Sequence, residues 1–239
     1  MSQSLAHAHN AGPLRIVIPD SAVEALKWLA LALMTIDHIN SYLLDREVGW
    51  MYAMGRVAMP LFAAVLAWNL ARPGTLERGV YPRTVKRLLL FGLLAMPPFV
   101  AGGGTGSELW LPLNILFLLA AATGYAWLIE RGTPVAKLGA LGLFLFGGFL
   151  VEFHWAGLGL TIALWHYFRR PGWATASAVL FFWLSLFFIN GNLWALLALP
   201  ILLSARYWSL PVPRIRWAFY IYYPAHIAVL WAIQQLWLR

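Results

Sequence analysis

Ionisable side chains are scarce inside the long apolar runs of this sequence, and those that occur there are of types that handle protons and acyl groups. Asp37 and His38 lie side by side in LALALMTIDHINSYLL, Arg56 in GRVAMPLFAAVLAWNL, and His226 in FYIYYPAHIAVL. A carboxylate and a guanidinium in contact offset each other's charge, and an imidazole beside them can serve as base, nucleophile or proton relay. Asn114, Glu152, His154, Asn190 and Asn192 stand at the ends of neighbouring apolar runs and add donors and acceptors. Asp37 and His38 lie about fifteen residues into their run, or roughly 22 Å of helical rise; Arg56 lies about eight residues, or roughly 12 Å, into the next. The two runs have opposite directions, so these depths match, and Asp37, His38 and Arg56 are expected to meet between antiparallel neighbours. Consecutive helical residues point about 100° apart, so Asp37 and His38 need not touch each other.

Such residues are informative only if the runs cross a bilayer, and the composition says that they do. Of 239 residues, 62% are hydrophobic and only 11% charged, against roughly 25% charged in a soluble domain. Apolar segments fall at about 22–44, 48–71, 85–101, 111–129, 136–151, 155–168, 174–189, 192–204 and 216–238, separated by turns rich in Pro, Gly or charge. The fold expected is all-α: a polytopic transmembrane bundle of about nine helices, the fifth to eighth short for a straight crossing of about 20 residues. Fourteen Trp, many near segment ends, suit anchoring at two headgroup layers. Residues 1–21 are expected to form a short cytoplasmic tail, the first apolar run being too long and lacking the cleavage site of a signal peptide, and 22–239 a single transmembrane domain.

Alternate loops differ sharply in Lys and Arg. One side carries Arg15, Lys27, Arg72, Arg78, Arg83, Lys86, Arg87, Arg131, Lys137, Arg169, Arg170, Arg206, Arg214 and Arg216; the other carries Arg46 and Arg239. The first side is expected to be cytoplasmic, which needs an odd number of crossings and puts the N-terminus inside. The net charge of +8 is thereby a topology signal spread over short loops and implies no nucleic-acid partner. With no cysteine, thiolate chemistry is excluded. No His or carboxylate pair has the i, i+4 spacing of a helical zinc site, so no metal is expected. Gly102, Gly103 and Gly104 lack the lysine of a phosphate-binding loop.

A charge in hydrocarbon costs about 3 kcal/mol on insertion scales, which makes the buried residues functional candidates by default. The plainer readings are an Asp37–Arg56 pair stapling two helices, Asn114 capping its helix, Glu152 and His154 as exposed loop residues, and His226 bonded to carbonyls near the Pro224 kink. His166 reads as interfacial, and His7 and His9 belong to the tail. Arg83, Lys86 and Arg87 are either topology anchors or a grip for a phosphorylated cofactor.

In order along the chain, LKWLALALMTIDHI (26–39), GRVAMPLFAAVLAWNL (55–70), RLLLFGLLAMPPF (87–99), PLNILFLLA (112–120) and FYIYYPAHIAVL (219–230) resemble the TraX family, named for F-pilin N-terminal acetylation. The DH pair, the GR…PLF block, the Asn of N-x-L-F and the Y-P-x-H motif carry the likeness. That family is similar to the transmembrane acyltransferases, and the resemblance implies acetyl transfer from cytosolic acetyl-CoA to an acceptor beyond the membrane: a pilin N-terminus, a glycan or a small molecule. It further implies a bacterial inner membrane and a lipid environment, and leaves homo-oligomerisation open. Carried over by position, it points to Asp37, His38, Arg56, Asn114, His226 and Tyr223 of the Y-P-x-H motif; Glu152, His154 and Gly157 match more loosely. His38 is the expected base, oriented or charge-balanced by Asp37, with Arg56 or Asn114 at the thioester oxygen and His226 at the thioester or in a relay. Direct transfer and an acetyl-His38 intermediate both fit. Two rival readings of the same residues are a proton-coupled solute transporter and a non-catalytic membrane partner of an assembly.

Overall fold

The computed structural model describes residues 16–104, 110–210, 212–215 and 217–237. Arg15, Arg216 and Arg239 of the charge partition, with His7 and His9, lie outside the described residues. Nine helical segments follow one another among those described: α1 Asp20–Leu43, α2 Gly49–Leu70, α3 Val80–Ala101, α4 Ile115–Arg131, α5 Pro134–Leu150, α6 His154–Arg169, α7 Trp173–Asn190, α8 Trp194–Tyr207 and α9 Ala218–Trp237. The described residues form no strand, as the apolar runs require: inside a bilayer each backbone group must be satisfied within its own helix. Three helices, α2, α3 and α7, are each long and apolar enough to span a membrane. Helix α3 begins five residues earlier than its apolar run because Pro82, in the first turn, suits the helix without needing an amide partner.

Ion pairs fix which helix ends lie together. Arg72, after α2, meets Asp20 at the start of α1 at 2.5 Å, and Arg169 at the end of α6 meets Glu130 at the end of α4 at 2.9 Å. Lys27 and Arg214 share Glu24 near the start of α1. The basic residues thus gather at one end of the bundle, the basic end.

Helix α1 packs along α2, α2 against α6 and more lightly against α4, α4 along α3, and α9 bridges α3 and α1. Helices α1, α2, α4, α3 and α9 therefore close a ring. Helices α5 and α7 sit outside it and turn Phe146, Phe149, Phe181 and Phe188 outward, as lipid-facing helices do.

Candidate active site

Two adjacent residues of α1 address two different helices. The Asp37 carboxylate accepts from Arg56 Nη2 at 2.5 Å on α2, while His38 Nδ1 stands 2.6 Å from His226 Nε2 on α9. The 100° step between neighbours separates them. Asp37 is thus bonded to Arg56, while the His38 imidazole is paired with a second imidazole; of the two roles expected of Asp37, this geometry leaves it to balance charge beside His38.

The close approach of α1 and α2 depends on Gly55. A Cβ there would stand 2.3 Å from Asp37 Cβ and Cγ and 2.5 Å from Oδ1, so any side chain would displace the carboxylate. Arg56 is further held by stacking on Tyr52, 4.3 Å from the ring centroid, and by Asn190 Oδ1 at 3.4 Å. The Tyr52 hydroxyl donates to the Asn190 carbonyl at 2.9 Å, which ties the end of α7 to the same spot.

The imidazole pair has a direction. His226 Nδ1 lies 2.8 Å from the Tyr222 carbonyl one turn earlier, and a carbonyl can only accept, so His226 carries its proton on Nδ1. Its Nε2 then accepts, and His38 donates from Nδ1. With both rings neutral, the relay ends on an unprotonated His38 Nε2, the form a base or nucleophile needs. The carbonyl used is that of Tyr222, not the Tyr220 carbonyl that Pro224 deprives of its usual helical donor.

Glu152 is drawn inward rather than exposed. Leu113 donates to the Leu150 carbonyl at 2.8 Å and accepts from the Glu152 amide at 2.8 Å, a one-residue parallel bridge that lays the start of α4 beside the α5–α6 turn. Phe153 and His154 both adopt positive φ, 59° and 47°, which is costly for non-glycine residues and turns the chain sharply after Glu152. The Glu152 carboxyl lies close to the Ile115 amide at the N-terminus of α4. Burial pushes this carboxyl up to about 7, opposed by the positive charge of Arg56. Tyr223 and Ile115 line one cavity. His154 is half-buried and stacks on Trp155.

Asn114 is fully buried and has structural bonds at both ends of its amide: Oδ1 caps α4 through the Leu116 amide at 3.1 Å, and Nδ2 donates to the Gly92 carbonyl of α3 at 2.9 Å. Tyr42 was not singled out from the sequence. It is 4% exposed, lies 6.2 Å from the His38 ring and has a hydroxyl with no hydrogen-bond partner among the described residues. A tyrosine at a helix end carries no signal of this kind in one dimension.

A cavity of about 330 Å³ occupies the five-helix ring. Lys27, Arg87 and Arg214 line it at the basic end together with Glu24, which pairs with Lys27 and Arg214, and Ile115 and Tyr223 line it at depth. Tyr223 in turn lies 5.7 Å from the His226 ring and 6.3 Å from that of His38. Of the basic trio from the start of α3, only Arg87 lines the cavity, stacked on Trp217 at 4.5 Å. Arg83 turns back onto the carbonyls of Gly79 and Arg78, and Lys86 is exposed. Lys27 and Arg214, read as topology residues, stand at the mouth instead.

The family model described as TraX protein matches residues 22–234 of the chain, from the first helix to the last. The chain belongs to the TraX family. Two relatives called Protein TraX, from Escherichia coli and from Escherichia coli strain K12, are 34% and 32% identical over 99 residues. These stretches are 41% of this chain and 36% of each relative, so the chain matches little more than a third of the relatives' length. No solved structure matches. Within this TraX-family chain the quoted motifs converge in space: DH, GR and Y-P-x-H supply the ion pair and the imidazole pair, and Asn114 caps the α4 terminus, whose Ile115 lines the same cavity as Tyr223.

Proposed function

We propose that this chain is a membrane-bound acetyltransferase that takes acetyl-CoA at its basic end and acetylates an amine or hydroxyl at the opposite end. The observation that carries the reading is the directed imidazole pair, set beside Tyr223 at the deep end of a cavity whose mouth is basic. Membership of the TraX family supports it, since the resemblance to that family implies acetyl transfer. The basic end is then cytoplasmic, in a bacterial inner membrane, in keeping with the charge partition.

In this reading Lys27, Arg87 and Arg214 face the phosphates of the donor while its acyl arm lies among the apolar walls toward Tyr223. His38 Nε2 removes the proton of the acceptor as its nitrogen or oxygen attacks the thioester carbonyl. The new C–N or C–O bond replaces the C–S bond, and the proton held by His38 passes to the departing CoA sulfur. Positive charge growing on His38 strengthens its Nδ1–H bond to His226, which the Tyr222 carbonyl holds in the accepting tautomer. The Tyr42 hydroxyl, without a hydrogen-bond partner among the described residues and on a ring 6.2 Å from that of His38, is the donor assigned to the tetrahedral oxyanion, since Asn114 is occupied as a cap. If acetyl-His38 forms first, the same nitrogen is the nucleophile and the acceptor attacks the acetyl-imidazole. Glu152 at the outer turn receives the acceptor.

The test is CoA release by the purified protein in nanodiscs with acetyl-CoA and added amines or alcohols. His38→Ala is expected to lower turnover by about 10²–10⁴-fold with acetyl-CoA binding retained. Unchanged turnover in that variant removes His38 from the chemistry. Solute-driven proton uptake in proteoliposomes without CoA release would replace the enzyme by a transporter.

A further inference from the structure

A second cavity, of about 410 Å³, lies outside the ring. Its floor is made by Tyr125 of α4 and by Ile162, Ala163 and His166 of α6, and its walls are α5 and α7. Small residues keep it open: Ala140 on α5, Ala174 and Ala178 on α7, and Gly159, whose absent side chain leaves room for the Phe182 ring, 2.2 Å from where a Cβ would stand. Phe144 of α5 and Phe182 of α7 close the deep end, edge to face at 6.3 Å. From Lys137 at the rim to Phe144 the wall runs seven residues, or about 10 Å.

The polar lining is confined to the basic end. Lys137 and His166 stand there with Tyr125 and Thr175, and the Thr175 hydroxyl is fixed by the carbonyls of Arg170 and Gly172 at 3.1 and 3.0 Å. Lys137 forms no ion pair among the described residues. An apolar slot closed at depth, with the Lys137 ammonium at its one polar rim, fits an amphiphile with an anionic head. In a helix bundle of this composition the surrounding medium is lipid.

We propose that the α5–α7 cleft is a binding site for one acyl chain of an anionic phospholipid, its phosphate at Lys137. The slot shelters the part of the chain nearest the head, and the remainder passes the Phe144–Phe182 pair along the outer surface. This site does not depend on the acetyl-transfer reading, because it shares no residue with the imidazole pair or the ring cavity.

The experiment is native mass spectrometry of the full chain, delipidated in detergent and titrated with phosphatidylglycerol or phosphatidylcholine of identical chains. One phosphatidylglycerol is expected to stay bound about fivefold or more tightly than phosphatidylcholine, with Lys137→Glu removing that preference. Ala178→Phe, which fills the slot, is expected to lower retention of both lipids, and Lys137→Glu provides the test if that variant fails to fold. Equal retention of the two lipids in wild type, or a preference untouched by Lys137→Glu, overturns the proposal. So does a dimer that forms without lipid and is lost in Ala178→Phe, since a second copy would then fill the cleft.

Discussion

Helices α1 and α2 are joined by two Asp–Arg pairs of the same length, 2.5 Å, one near each end of their contact. Their surroundings differ. Asp37 and Arg56 keep 18% and 15% of their side-chain surface exposed, whereas Asp20 and Arg72 keep 77% and 34%. Exposed pairs gain little over their hydrated ions, while removing one partner of a buried pair strands the other in a poor solvent. One pair therefore marks where the helices end, and the other holds α1 at the register that sets His38 against His226.

The largest effect on folding is expected from breaking the inner pair. Arg56→Ala or Asp37→Ala is predicted to destabilise the protein by about 3–5 kcal/mol, read from unfolding in detergent, and to loosen the imidazole pair. Asp37→Asn in the Arg56→Ala background should recover part of that loss, because no buried charge then lacks a partner. A double variant no better than Arg56→Ala alone would mean that the charge itself, rather than its isolation, matters to the fold.

Gly55→Ala tests the same pair without touching a charge. Its methyl group would stand 2.3 Å from the Asp37 carboxyl carbon, so the helices must separate or the carboxylate must swing away. Overpacking of this kind costs about 1–3 kcal/mol. The predicted outcome is a loss of stability in that range together with a marked fall in CoA release, while Gly49→Ala, with open space around it, should change neither.

The inner pair was legible in the sequence because depth along a helix is a one-dimensional quantity: equal distances from the same face bring Asp37 and Arg56 level. The nine helical segments were legible for a related reason, since apolar runs and their Pro, Gly and charged breaks need no partner to be recognised. Azimuth was not legible. Which way His38 points depends on where α9 docks, and α9 follows α1 by well over a hundred residues, so the His38–His226 bond could not be read from either motif. The inward turn of Glu152 depends on a bridge between Leu113 and Val151, two short connections with no pattern of their own. Burial likewise made a capping residue of Asn114 and left the Tyr42 hydroxyl alone.

Glu152 extends the contrast between buried and exposed charge to a carboxylate with no arginine directly bonded to it. Its ordinary value of 4.5 is raised to about 7 chiefly by burial, so between these values the folded chain holds a proton that the unfolded chain has released. Stability should therefore fall as pH rises from about 4.5 to 7, by at most about 1.4 kcal/mol per pH unit. Glu152→Gln is predicted to flatten that slope while leaving the response below pH 4.5 unchanged. A slope identical to wild type would show that the folded and unfolded states ionise Glu152 alike, and that the turn is wetter than its packing suggests.

The smallest effect belongs to the outer pair. Asp20→Asn is predicted to change stability by about 0.2–1 kcal/mol, to become indistinguishable from wild type in high salt, and to leave CoA release untouched. Its value lies in the contrast with Asp37→Ala: the same helices, the same residue types and the same distance, separated in effect only by access to water. A loss at Asp20 approaching that at Asp37 would mean that the basic end is far less hydrated than an exposed helix start implies. The α1–α2 contact would then be set from both ends, and the placement of His38 would rest on the whole length of the interface rather than on the buried pair beside it.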